Sequence, residues 1–73
     1  MRVTYDPKAD ASFIFIGDDI PPSGAPESHI CDLEVQDASV IVLLSGDRRL
    51  VGFEVLGASR LLPPEVLRHA PTP

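Results

Sequence analysis

The stretch Val40-Ile41-Val42-Leu43-Leu44-Ser45-Gly46-Asp47-Arg48-Arg49-Leu50-Val51-Gly52-Phe53-Glu54-Val55-Leu56 decides the fold. Its opening run Val40 to Leu44 is apolar, rich in β-branched residues and too short for a typical helix, so it predicts a buried strand at the centre of a sheet. Gly46-Asp47-Arg48 has the composition of a hairpin turn. The chain then returns as Leu50 to Leu56, with Val51, Phe53 and Val55 on one face and Leu50, Gly52, Glu54 and Leu56 on the other.

Towards the N-terminus, Glu27 to Val35 sets Cys31, Leu33 and Val35 against Asp32 and Glu34, the alternation of a strand with one wet face. With Gln36-Asp37-Ala38 as a turn, residues 27–57 read as a three-strand meander. Residues 17–26 hold two glycines, three prolines and two aspartates, a composition that predicts a surface loop. Before it, Arg2-Val3-Thr4-Tyr5 reads as an opening strand with Val3 and Tyr5 inward. Asp6-Pro7-Lys8-Ala9-Asp10 reads as a tight turn, because proline fixes its own φ and Asp6 can accept hydrogen bonds from amides just ahead. The following Ala11 to Ile16 points Phe13 and Phe15 one way and Ile14 and Ile16 the other, completing an N-terminal hairpin over 1–16.

Beyond Gly57, Ala58-Ser59-Arg60 predicts a brief turn. Pro63-Pro64-Glu65 then opens a helix over 63–70, with proline in the first turn, Glu65 near the positive end, and Arg68 and His69 near the negative end. The expected fold is a single α+β, mostly β, domain over 1–73: an antiparallel meander of four to five strands with a short C-terminal helix. An isolated helix of about two turns is marginal, so this one must pack Leu62, Val66 and Leu67 on the sheet. It can cover one face only, which leaves Ile14, Ile16, Val40, Val42 and Leu44 as candidates for a homodimer interface.

Size and charge narrow the function. A 73-residue chain buries only roughly 60% of its unfolded surface. The lone Cys31 cannot form an intramolecular disulfide, so association or a metal would have to supply what the core lacks. A net charge of -5 opposes nucleic-acid binding, which depends on neutralising phosphates, and favours a basic protein partner instead. No apolar run approaches the ~20 residues of a membrane span and the N-terminus lacks a signal-peptide core, so no membrane association and a cytoplasmic location are expected.

Two motifs carry a resemblance. Tyr5-Asp6-Pro7-Lys8-Ala9-Asp10-Ala11 ahead of an apolar strand, and Leu50-Val51-Gly52-Phe53-Glu54-Val55-Leu56-Gly57-Ala58-Ser59 near the other end, resemble domain of unknown function family 2283. This is a family of small bacterial proteins with a Tyr-Asp, Ala-Asp-Ala opening and a Val-Gly-Ile-Glu-like strand ending in Ala-Ser. Leu43 and Ser45 stand where the family commonly has acidic residues, and Ser12 and Phe15 replace its usual Leu and Arg. The resemblance implies a compact β-rich fold, marks Tyr5, Asp6, Asp10, Gly52, Glu54 and Ser59 as motif positions, and implies the company of small toxin-like proteins for some members.

The carboxylates Asp6, Asp10 and Glu54 could do acid and base chemistry or hold a divalent cation if they converge. Their ordinary roles are turn formation for Asp6 and Asp10 and pairing with an arginine for Glu54. His29 and Cys31, two apart on a strand, share a face and could reach zinc, but two ligands do not make a site, and Cys31 reads as a packed thiol. Ser45 and Ser59 lack a nucleophile's sequence context. Gly46, Gly52 and Gly57 serve a turn, a strand and a strand end rather than a phosphate loop, with Gly52 marking a bulge or a close approach by Tyr5 or Phe13. No catalytic residue, metal site or cofactor is assigned, and an enzyme is the less favoured reading. The favoured one is a homodimeric protein-interaction module, antitoxin-like in character. A ligand-sequestering or metal-binding dimer and a carboxylate-based hydrolase are the alternatives.

Overall fold

A computed structural model describes residues 1–17 and 27–73. The loop expected over 17–26 lies, from residue 18 onward, outside the described residues. Five strands, β1 (Arg2–Asp6), β2 (Ala11–Phe15), β3 (Glu27–Cys31), β4 (Ser39–Leu44) and β5 (Leu50–Leu56), precede the short helices α1 (Ala58–Leu61) and α2 (Pro64–His69). The strands form one antiparallel sheet in the order β1-β2-β5-β4-β3. The fold is therefore α+β and mostly β, as expected.

The order corrects one expectation. β4 lies next to the edge strand β3, and β5 occupies the centre because it bonds to β4 on one side and to β2 on the other. An unbroken apolar run looks central, yet the alternating β5 holds that place, with Gly52 making it possible. A Cβ at Gly52 would overlap the Ile14 carbonyl oxygen and lie 3.1 Å from the Phe15 Cα. The close approach inferred for Gly52 is thus made by the β2 backbone, not by the Tyr5 or Phe13 side chains. The register shift between Leu43 and Leu44 lies directly opposite.

Local chemistry explains the turns. Asp6 Oδ1 accepts the Lys8 amide at 3.0 Å, the turn-forming role expected of it, and Asp10 closes that turn with φ 51°. β3 ends at Cys31 instead of running to Val35, because Asp32 Oδ1 accepts the Glu34 amide at 2.8 Å and Glu34 adopts φ 56°, a conformation no strand residue can hold. Leu33 and Val35, expected inward, are exposed. At the β4–β5 turn, Ser45 accepts the Arg48 amide at 2.9 Å and donates its own to Arg49 at 2.8 Å. Gly57 then takes φ 69°, where a Cβ would also overlap the Asp37 carbonyl, and turns the chain into α1, which replaces the brief turn expected at 58–60.

Cross-strand register sorts the side chains into two faces. Val3, Tyr5, Ser12, Ile14, Val40, Val42, Phe53 and Val55 share one; Thr4, Phe13, Phe15, Ile41, Leu43, Glu54 and Ile30 share the other. At the end of the sheet nearest the helices, Ser12 is fully buried and Val55 is 2% exposed, whereas Leu56 on the opposite face is 37% exposed. At this end the helical segment therefore lies on the Tyr5 face, where Asp10 joins Ser59 to the Tyr5 hydroxyl, while Thr4 and Leu43 are buried on the other face, 2% and 8% exposed. The segment runs from the end of β5 to the β1 edge, where the Pro71 carbonyl accepts the Tyr5 amide at 2.8 Å. Val3 and Tyr5 are half-buried beneath it, while the deepest β1 side chain is Thr4 between them, 2% exposed on the opposite face.

Candidate functional site

Two features draw the motif positions together. The first is a hydrogen-bond cluster on Asp10. Its Oδ1 accepts the Tyr5 hydroxyl at 2.7 Å and the Ser59 amide at 2.9 Å, its Oδ2 accepts the Ser59 hydroxyl at 2.6 Å, and its carbonyl accepts the Ala58 amide at 2.9 Å. Ser59 hydrogen bonding, followed by that of Tyr5, holds the Asp10 carboxyl below its ordinary value, and the same bond, led by its hydrogen-bonding effect, raises the Tyr5 phenol. The cluster fastens the first turn to the start of α1. Asp10 is the acceptor for the Ser59 hydroxyl, but with its pKa lowered and its oxygens also holding the Tyr5 hydroxyl and the Ser59 amide it is a weak base, and the geometry is that of a clasp.

The second feature is a row across the face opposite Tyr5, on which Thr4 and Leu43 are buried and Ile30 is exposed. Register aligns Thr4, Phe13, Glu54, Ile41 and Ile30 on adjacent strands, one from each. Phe13 stacks with Phe15, ring centroids 5.8 Å apart. Glu54 is the only charged member of the row, and among the described residues it makes no hydrogen bond or ion pair, so the arginine expected beside it is not there.

The carboxylates do not meet. Asp6 serves the amides of its own turn, Asp10 faces Tyr5 and Ser59, and Glu54 stands between Phe13 and Ile41 on the other face. Convergence was the condition for a carboxylate-based hydrolase. His29 and Cys31 do share a face of β3, and His29 Nε2 lies 3.2 Å from Glu27 Oε2, but among the described residues no three potential ligands gather to hold a metal. The Arg48-Arg49 tip is occupied by acids: Arg48 lies 3.8 Å from Glu27, and Arg49 Nε 3.2 Å from Asp47. Asp47 also accepts the Ser45 hydroxyl, which holds its carboxyl below the ordinary value.

The interface candidates divide. Ile14, Val40, Val42 and Leu44 lie on the Tyr5 face that the helices partly cover, and Ile16, past the end of β2, is exposed. The opposite face is instead that of Phe13, Phe15, Ile41 and Ile30, since the start of α1 is tied through Asp10 to the Tyr5 hydroxyl on the other side. Sequence reading missed Ile30, which is 74% exposed on the sheet edge. The period-2 pattern of Ser28 and Ile30 against His29 and Cys31 was available to find it, but was hidden by extending that strand to Val35.

Among the described residues no helix is long and apolar enough to cross a membrane. No curated protein and no solved structure matches the chain. A family model described as "Protein of unknown function (DUF2283)" matches residues 2–59, from the first residue of β1 to the serine that closes the Asp10 clasp. Both motifs and every strand fall within that span, and the chain belongs to the DUF2283 family.

Proposed function

We propose that this protein is a non-enzymatic, homodimeric protein-interaction module whose open sheet face receives a basic segment of another protein, in the manner of an antitoxin that covers a basic neighbour. The observation that carries this reading is the row Phe13-Glu54-Ile41-Ile30, half-buried to exposed, in which Glu54 is a carboxylate without an ion-pair partner among the described residues. On this face Leu43 is buried, Phe13, Phe15 and Ile41 are half-buried and Ile30 is 74% exposed, and the surface these last four present is what a partner would cover. A cationic side chain laid on Phe13 and Phe15 would meet Glu54 in a partly desolvated place, where an ion pair contributes more than on open surface. The net charge of -5 steers cationic partners towards it. No particular observation favours the ligand-sequestering alternative.

A fluorescein-labelled peptide alternating arginine and leucine tests this by anisotropy at physiological salt. The full chain is expected to bind it, Glu54→Gln to weaken binding at least about tenfold, and Glu65→Gln, on the exposed face of α2, to leave it unchanged. Equal effects of the two variants, or no binding by the unaltered chain, would contradict the reading.

A further inference from the structure

The two edges of the sheet are finished differently. On β1 the Tyr5 amide is taken by the Pro71 carbonyl, whereas β3, among the described residues, makes no backbone hydrogen bond except to β4. An open edge is a template for another strand, and this one carries no lysine or proline to blunt it.

The hydrogen-bond pattern fixes which groups point outward. The Ile16 amide bonds to Val51, so Ile14 and Ser12 also direct their backbone groups at β5. Alternation carried through β5 and β4 turns the polar groups of His29 and Cys31 towards β4, and those of Ser28 and Ile30 away from the sheet. The same alternation sends the Tyr5 amide outward on β1, where it is found.

Resting on the homodimer reading above, we propose that β3 pairs with β3 of a second copy, antiparallel about a two-fold axis at His29, joining two five-stranded sheets into one. In that register Ser28 and Ile30 of the partner subunit exchange backbone hydrogen bonds in both directions, and His29 faces its own counterpart as a non-bonded pair. Every residue of Glu27–Cys31 is used. Centring on Ile30 would bring Ser28 against Asp32, which its own turn with Glu34 holds away from strand conformation. Centring on Ser28 would set Ile30 against Pro26, which has no amide to give.

Charge also selects a second copy at this edge. The one carboxylate on β3, Glu27, is already held by Arg48 at 3.8 Å and His29 at 3.2 Å, so two chains of net charge -5 can meet here without an unpaired acid on the strand. Ile30 gains cover from the joined sheet, and the Phe13–Glu54 platforms stay open, one per subunit.

The test is cross-linking with edge blocking. His29→Cys in a Cys31→Ser background places the two thiols opposite one another, and mild oxidation is expected to convert most of the protein to a disulfide-linked dimer. Ser28→Cys in the same background, opposite Ile30 of the partner subunit, is expected to stay uncross-linked. Ile30→Pro removes only an outward amide and Ile30→Lys adds a charge to the edge. Both are expected to keep the circular-dichroism spectrum and weaken dimerisation at least tenfold. A dimer that survives both edge variants and does not cross-link through position 29 would overturn the edge assignment while leaving the homodimer standing. A monomeric unaltered chain would remove both.

Discussion

Asp10 shows how one residue can join parts of the chain that are distant in sequence. Its left-handed φ closes the first turn, while its carboxylate receives the Tyr5 hydroxyl and both donors of Ser59, 49 residues away. Because hydrogen bonding depresses the folded pKa of Asp10, its contribution is complete above the ordinary value of 3.8 and is lost as pH falls through the depressed one. Tyr5 runs the other way: its folded pKa is raised, so its contribution is complete below 10.0 and is lost as pH rises through the raised value. Urea midpoints measured from pH 2 to 12 are therefore expected to form a plateau, with Asp10→Asn flattening the acid limb and Tyr5→Phe the alkaline one. The turn role of Asp6 was legible in sequence because its partners are two and three residues on; the Asp10–Ser59 link was not, since only the folded sheet brings them together. Two core positions give sharper stability changes. Gly52→Ala forces a Cβ into the β2 backbone and is expected to cost about 2–3 kcal/mol, a fall in Tm on the order of 15 °C by thermal circular dichroism. Thr4→Val replaces a buried hydroxyl that has no partner among the described residues, and is expected to stabilise by about 1 kcal/mol in the same assay.

Among the elements, strand existence was readable and strand length and order were less so. Alternation and β-branching located all five strands, since those patterns follow from the pleat itself. The end of β3 depended on Asp32 capturing the Glu34 amide, which competes with the ladder and leaves the apolar pattern of Leu33 and Val35 intact but misleading. The placing of β5 at the centre followed from long-range pairing that a hydrophobic run does not encode. The short helices owe their position to tertiary contacts, with Ala58 fully buried and Pro71 bonded to β1. Amide exchange checks this arrangement: Tyr5 is expected to be protected on the order of a hundredfold over Val3, the neighbouring outward amide, and truncation after His69 to abolish that difference. Equal rates for Tyr5 and Val3 in the full chain would mean that the Pro71 bond does not seal the edge.

At the scale of the whole molecule, the sheet among the described residues has apolar side chains, Ile30, Leu50 and Leu56, that the helices leave exposed. Sequence composition conveyed such exposure, because a chain of this length with five strands and about two helical turns cannot enclose both faces. It did not convey on which face the helices begin, since that depends on the direction in which Gly57 turns the chain. On the proposed reading, Ile30, exposed on the β3 edge beside the half-buried Ile41, is the apolar surface that a second copy covers. Sedimentation velocity of the full chain at about 10 to 100 µM addresses this directly, because association follows mass action. The expected result is a species of twice the 7.9 kDa chain mass that dissociates only on dilution. A 7.9 kDa monomer at every concentration, folded and with unchanged thermal stability, would contradict it.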